Sequence, residues 1–530
     1  MQKVPHGFWS FKLAIPLWIK EKLFQRQLIL RNLYSIEKNT LIKDKIFFTD
    51  HHHSHAASAF YPSPFYESVI LTMDGVGEWT TTSIYLGKNN SLELKKEIKF
   101  PHSLGLLYSA FTYFLGFKVN DGEYKIMGLA PYGEPKYSEV IKNNLVDIKK
   151  DGSFRLNQKY FNYSTGLTMT NKKFNKLFKM EVRKGNDKLL QKHMDIAASI
   201  QLVLEEIVLL LTKNLRKEYG IKNLCLAGGV ALNCVANGKI LQNGKFQNIW
   251  IQPAAGDAGG SLGAAIGLWH IELKKNRTIN SRDDMNGSYL GPEYSNSEIE
   301  KQLKEAGANF EILDDQRLIE KIVLELCDGK AVGWFQGRME FGPRALGCRS
   351  ILGDARSTTM QKNLNLKVKY RESFRPFAPS VIREDLSDWF EMDCDSPYML
   401  FVSDVMINKR RSMTKDEKAL FGINKLNVKK SEIPAVTHVD YSARIQTVHK
   451  ETNSKYYKLL SEFKKKTGCP VLVNTSFNVR GEPIVNTPKD AFNCFMGTEL
   501  DILAIGNCYL YKESQVKSLK KDYKIKYELD

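Results

Sequence analysis

Apolar residues recur at intervals of three and four across residues 192–219, which predicts one long amphipathic helix. The apolar, aromatic run 103–117 predicts another helix, and 19–33 an amphipathic stretch near the start of the chain. Elsewhere the pattern changes to short β-rich runs closed by glycine. Residues 68–73 and 80–85 flank Asp74-Gly75-Val76-Gly77, which predicts a hairpin with its glycines at positive φ. The apolar runs at 223–227 and 249–252 predict buried strands, each turning at glycine into a helix. The first turns at Gly228-Gly229 before Asn233, the second at Gly256-Asp257 before a run of small residues to Gly267. Further strands are predicted at 331–335 and from Val471 to Asn474. Residues 138–190 are lysine-rich and poorly periodic, which predicts a peripheral insertion, and the polar stretch 275–315 is expected to carry a domain boundary.

At 530 residues the chain exceeds one typical core, so two or three domains are expected. A hydrophobic share of 43% and the lack of a membrane-length apolar run indicate a globular, soluble protein with no membrane partner. No cleavable leader is recognisable at the start, and the eight cysteines are scattered without a C-x-x-C pair; both point to a cytoplasmic protein with buried, reduced thiols. The net charge of +18 raises the question of nucleic acid. Its lysines are diffuse and lack interleaved aromatics, which argues against a single-strand groove and leaves anionic small substrates open.

Candidate chemistry begins at Asp50–Phe60. His51 and His55 are four apart, so on a helix their imidazoles share one face. Spacing alone leaves two readings open, a metal pair and a solvated helix start. Asp74, Gly75 and Gly77 could bring backbone N–H groups and one carboxylate to a phosphate or metal, or form a plain turn. Lys125 lies in a Gly-punctuated loop. Gly228-Gly229 could admit a flat ligand such as adenine, and Asp257 is either an N-cap or an oxygen ligand beside the histidines. A second chemistry follows. Arg344, Lys369, Arg375 and Arg444 sit among Gly, Pro and Phe, and Asn474 and Ser476 end a strand. Guanidinium forks bind phosphate bidentately, so these residues predict a site for polyphosphate or a small phosphorylated substrate.

Taken in order, His51-His-His-Ser-His55-Ala-Ala-Ser-Ala, Asp74-Gly-Val-Gly, Lys125-Ile-Met-Gly-Leu-Ala, Gly228-Gly-Val-Ala-Leu-Asn, Gly256-Asp-Ala-Gly, Glu340-Phe-Gly-Pro-Arg-Ala-Leu-Gly, Arg371-Glu-Ser-Phe-Arg-Pro-Phe-Ala-Pro and Asn474-Thr-Ser-Phe-Asn resemble the O-carbamoyltransferases that decorate nodulation factors, cephalosporins and aminoglycosides. The resemblance implies an α/β protein of two domains. Residues 1–310 would form an actin-like ATPase-fold (ASKHA) domain holding a divalent metal, iron or zinc, on His51, His55 and Asp257. Residues 311–530 would form a YrdC-like α/β domain that makes carbamoyl-adenylate from carbamoyl phosphate and ATP with Mg²⁺. Its anion-binding residues would be Arg344, Lys369, Arg375, Arg444, Asn474 and Ser476, while Gly228 and Gly229 would receive the nucleotide. The carbamoyl group would pass to a hydroxyl of a sugar, glycan or other small acceptor.

Family members open with a further strand–turn–strand that has no counterpart before His51. The first domain is therefore expected to be truncated at its N-terminus, leaving an open sheet edge. Either the start codon is misassigned or a separate N-terminal chain supplies the piece; a homodimer is a further expected partner. Alternatively, the protein would be an impaired paralogue serving as a nucleotide-binding or partner subunit.

Overall fold

The structure is a computed structural model that describes residues 7–37, 40–185, 187–520, 523 and 527. It begins with helices α1 (Phe8–Leu17) and α2 (Gln25–Ile36), neither of which buries a residue. Helix α3 (His51–Phe60) follows, then strands β1 (Glu67–Met73), β2 (Thr80–Lys88) and β3 (Ser91–Lys99). Helices α4 (Leu104–Phe114) and α5 (Glu123–Leu129) lead to a small hairpin, β4 (Val146–Ile148) with β5 (Phe154–Leu156). The long helix α6 (Gln191–Tyr219) matches the expected period of three and four. Then come β6 (Asn223–Ala227), α7 (Cys234–Asn243), β7 (Asn248–Ile251) and α8 (Asp257–Gly267).

These strands form a five-stranded sheet in the order β3-β2-β1-β6-β7. The strand β1 is wholly buried on both faces beyond Glu67, as a central strand must be. It pairs antiparallel with β2 and parallel with β6, Val69 opposite Leu224. The hairpin is as expected, but neither Gly75 nor Gly77 has positive φ. The connection is long enough to close without a tight primed turn: Asp74 N–H donates to Thr81 and Gly77 N–H to Thr80 (both 2.9 Å). Gly77 is small for another reason, since a Cβ there would lie 3.0 Å from His51 Cβ.

Residues 138–190 are not a peripheral insertion. Phe174 and Phe178 are fully buried, and their rings pack edge-on or tilted against Phe111 and Phe114 of α4 at 4.9–5.6 Å. Ile141, Leu145, Phe154, Leu156 and Phe161 are buried as well, but they are spread over short elements separated by polar residues, so periodicity missed the segment.

The second half carries β8 (Glu311–Ile312), α9 (Asp315–Cys327), β9 (Val332–Phe335), β10 (Arg349–Asp354), β11 (Ala378–Ile382), β12 (Phe401–Asp404), β13 (Ser442–Val448), α10 (Ser454–Thr467), β14 (Val471–Ser476), α11 (Pro488–Gly497), β15 (Ile502–Ile505) and β16 (Cys508–Tyr511). Its nine strands form one mixed sheet, β12-β13-β11-β14-β10-β9-β15-β16-β8. Strand β14 lies near the middle, paired antiparallel with β10 and β11, so its C-terminal end is held from both sides.

The halves are joined by specific contacts. Asn237 on α7 donates to the Leu400 carbonyl (3.1 Å), and Tyr132 OH donates to that of Phe374 (3.1 Å). No disulfide links the eight cysteines, and no helix among the described residues is long and apolar enough to cross a membrane.

Candidate active site

Helix α3 starts at His51 because the Glu78 carboxylate, from the β1–β2 connection, accepts the free His51 N–H (3.1 Å). Asp50 occupies the N-cap but makes no side-chain cap. One turn on, His55 is fully buried and His51 half-buried, with their Nε2 atoms 3.0 Å apart. The expected shared face is therefore real. His52 points elsewhere, to Thr72 and Ser83, and His53 meets Thr49.

Asp74, the first residue after β1, reaches the same point. Its Oδ2 lies 2.9 Å from His51 Nε2 and 3.2 Å from His55 Nε2, while Oδ1 accepts from the Gly229 N–H (3.0 Å). Asp257, at the start of α8, brings Oδ1 to 3.6 and 3.7 Å from the two imidazoles. Four donor atoms thus lie within 4.8 Å of one another. Spacing left Asp74 open to a phosphate, a metal or a plain turn; the structure brings it to the histidines, closer than Asp257. Its position at the C-terminal end of a buried strand was the available signal.

This donor set fits a divalent metal. Ligands about 2.1 Å from one ion lie roughly 3 Å apart, and two imidazoles with two carboxylates suit iron or zinc. Without a cation the cluster shares protons. Burial would lower the proton affinity of His55, but hydrogen bonds to Asp257 and Asp74 raise its pKa to about 9. Burial would likewise raise the Asp74 carboxyl, yet His51 and His55 hold it well below the usual carboxylate range.

Two glycines permit this convergence. Gly228 has φ +88°, and a Cβ there would strike the Met73 carbonyl at 2.2 Å. Gly263 on α8 lies so close to α3 that a Cβ would fall 1.8 Å from the Ser54 carbonyl.

A cavity of about 820 Å³ lies between the halves, with Tyr124, Gln201 and Cys234 on one side and Arg344, Arg375 and Arg444 on the other. Arg344 Nε is buried with no partner among the described residues, and burial and the neighbouring Arg444 both lower its proton affinity. Like charges held this close in a desolvated place are relieved by an anion. Arg375 packs on the Tyr124 ring at 4.5 Å. Asn474 donates to Ser380 and Gln446, leaving Oδ1 buried and open. Lys369 is 2% exposed, and its ammonium donates to Ser476 Oγ (3.2 Å), Asn478 Oδ1 (2.8 Å) and the carbonyls of both residues. It holds the end of β14 in shape. Burial and then Arg371 push its pKa well down.

Arg371, Asn478 and Arg480 also line the cavity. Arg371 and Asn478 lie inside the quoted motifs and Arg480 just beyond the last, but none was singled out, because nothing local marks which arginine of a cluster turns inward. Three residues expected at nucleotide or substrate binding, Lys125, Asn233 and Gly75, are not among those lining the cavity. Lys125 is buried 3.8 Å from Glu372 of the second half. Asn233 caps α7 through Ala236 N–H (3.1 Å) and exchanges amide hydrogen bonds with Gln201 (3.0 and 3.1 Å). Gly75 has open space around its Cα.

The two sites share walls. The Asp74-bound Gly229 is followed, one short turn on, by Cys234 in the cavity wall. The loop before Asp257 packs on the segment that presents Arg344: a Cβ on Gly342 would lie 3.2 Å from the Pro253 carbonyl.

Residues 1–266 match the family described as Carbamoyltransferase N-terminus, and residues 323–512 match Carbamoyltransferase C-terminus. An uncharacterized protein of Synechocystis sp. is 58% identical, covering 96% of this chain and 84% of its own length. Nodulation protein NolNO of Sinorhizobium fredii is 40% identical over 94% of this chain and 68% of its own. The 3'-hydroxymethylcephem-O-carbamoyltransferase of Streptomyces clavuligerus is 33% identical over 54% of this chain and 48% of its own. With both family regions matched in order and long relatives similar nearly end to end, the chain belongs to the carbamoyltransferase family.

Proposed function

We propose that this chain is an ATP-dependent O-carbamoyltransferase that makes carbamoyl-adenylate in the basic cavity and passes its carbamoyl group to a hydroxyl of a sugar or small-molecule natural product. In this reading residues 1–310 are the actin-like ATPase-fold part and residues 311–530 the YrdC-like part. The observation that carries it is the pairing, in one chain, of a His/Asp metal-type cluster with a cavity lined by clustered arginines.

Arg344, Arg375 and Arg444, with Arg371 and Arg480 beside them, neutralise the triphosphate of ATP and the carbamoyl phosphate. Water cleaves the carbamoyl carbon–oxygen bond of carbamoyl phosphate, phosphate leaves and carbamate remains. With the charges neutralised, a carbamate oxygen attacks the α-phosphorus, the oxygen–phosphorus bond forms and pyrophosphate leaves, with Mg²⁺ accompanying the nucleotide. Lys369 acts by fixing Ser476 and Asn478 on the cavity wall. In the second step the acceptor oxygen attacks the carbamoyl carbon, AMP leaves, and the hydroxyl proton passes to a base. His51, His55, Asp74 and Asp257 would hold a divalent ion, iron or zinc, which when bound polarises oxygen ligands as a Lewis acid. Burial of His55 and the close packing of α3 on α8 keep water from one side of that cluster.

The test is isotope exchange. With carbamoyl phosphate present, labelled pyrophosphate should enter ATP, and Arg344→Ala should lower the rate about 100-fold or more. Wild-type protein without exchange, or a variant equal to wild type, would sink the adenylation step.

A further inference from the structure

One ionisable pair in the cavity stands apart from the arginines. His438 and Asp440 both line it, in the turn that enters β13 and precedes Arg444. Asp440 Oδ1 accepts from Ser442 N–H (3.1 Å) and Oγ–H (2.7 Å), and it lies 3.4 Å from His438 Nδ1. The turn is tightly fixed. His438 N–H donates to Ser442 O (2.9 Å), Tyr441 N–H donates to His438 O (3.1 Å), and Tyr441 takes φ +69°, a left-handed conformation costly for an aromatic residue. The His438 ring is also braced edge-on by Tyr132 at 5.4 Å. Its other nitrogen, Nε2, is buried and has no partner among the described residues, although the side chain is more than nine-tenths buried.

Buried ring nitrogens are ordinarily satisfied. Here one faces a carboxylate and the other is open, which is the arrangement of a base oriented by an acid. Burial alone would raise the Asp440 carboxyl, but His438 and Ser442 hold it well below the usual range, so it stays an anion facing the ring. The arginines can bind carbamoyl phosphate but cannot accept a proton.

We propose that His438, oriented by Asp440, is the general base that hydrolyses carbamoyl phosphate in this cavity, releasing the carbamate that is then adenylated. Water attacks the carbamoyl carbon as His438 Nε2 takes one of its protons. The bond from carbon to the phosphate oxygen breaks, and the proton passes to the departing phosphate. Loss of the second water proton from carbamic acid gives the carbamate anion. No oxidant or further reactant is required. The assignment rests on the adenylate-forming role proposed above.

Carbamate can be supplied directly, because concentrated ammonium bicarbonate contains it at equilibrium. Pyrophosphate release from ATP is measured for full-length wild type, His438→Gln and Asp440→Asn, once with carbamoyl phosphate and once with ammonium bicarbonate. The ratio of the first rate to the second should fall about 100-fold in His438→Gln and about 10-fold in Asp440→Asn. An unchanged ratio in both variants overturns the assignment, however far the absolute rates fall, because a folding or binding defect lowers both rates together. Wild type inert with both carbamoyl sources would instead refute the adenylation reading itself.

Discussion

The close approach of α3 and α8 gives a direct test of how packing sets the metal-type cluster. Gly263→Ala would place a Cβ 1.8 Å from the Ser54 carbonyl, whereas ordinary contact begins at 3.4 Å. The missing distance is about 1.6 Å, more than a side-chain adjustment can absorb, because both partners are helix backbone. The helices must part, and they carry the donors: His55 follows Ser54, and Asp257 begins the helix that holds Gly263. Overpacking of this kind costs about 1–3 kcal/mol, and disturbing the support of a metal ligand lowers affinity about 10–100-fold. Gly267, one turn on, is the internal control. Its Cβ would sit at an ordinary 3.5 Å from Ala57 Cβ, and alanine there should be neutral or stabilising by up to about 1 kcal/mol through helix propensity. The assay is thermal unfolding together with metal content after equilibration at limiting Fe²⁺ or Zn²⁺. If Gly263→Ala keeps wild-type Tm and metal content, the cluster does not depend on this contact and the reasoning fails.

Two further outcomes concern the same cluster. Asp74→Asn should weaken metal binding by at least tenfold more than Asp257→Asn, because Asp74 touches both imidazoles at 2.9–3.2 Å while the Asp257 side chain is 81% exposed; equal losses in calorimetric titration would contradict the geometry. Metal affinity should also rise with pH. His55 holds a proton up to about pH 9 in the metal-free cluster, and binding must displace it, so affinity should grow about tenfold per unit from pH 7 and flatten near 9. A flat profile over that window would mean that no such proton is released.

Periodicity carried the first layer of this structure. The three-and-four pattern of α6 and the alternation of apolar runs with glycine turns located most of the first sheet, because burial in regular elements imposes those intervals. His51 and His55 were legible for the same reason: four residues on a helix is a spatial statement. Asp74 and Asp257 were harder. Each stands at a strand-to-loop junction, where the same residues serve as caps, phosphate loops or ligands, and only the packing of β1 beside β6 decides among them. Lys125 and Asn233 show the reverse difficulty. Their conspicuous polar groups are matched to partners, Glu372 and Gln201, that no local window contains. His438 escaped notice because Thr437-His438-Val439-Asp440 has no special spacing until the turn at Tyr441 folds the carboxylate toward the ring.

What joins the two sites is a short stretch of rigid backbone. Gly228 N–H donates to the Ala255 carbonyl (2.8 Å), so the loop that holds Asp74 and the loop that leads to Asp257 are tied together. The first runs on into Cys234 at the cavity, and the second presses on Gly342, two residues before Arg344. Neither connection passes through a long flexible side chain. Asp257, reached through the second of these connections, is the most exposed member of the cluster and the one farthest from its partners. Asp74, His51 and His55 sit instead on β1 and α3, with Asp74 tied to the first connection through the Gly229 N–H.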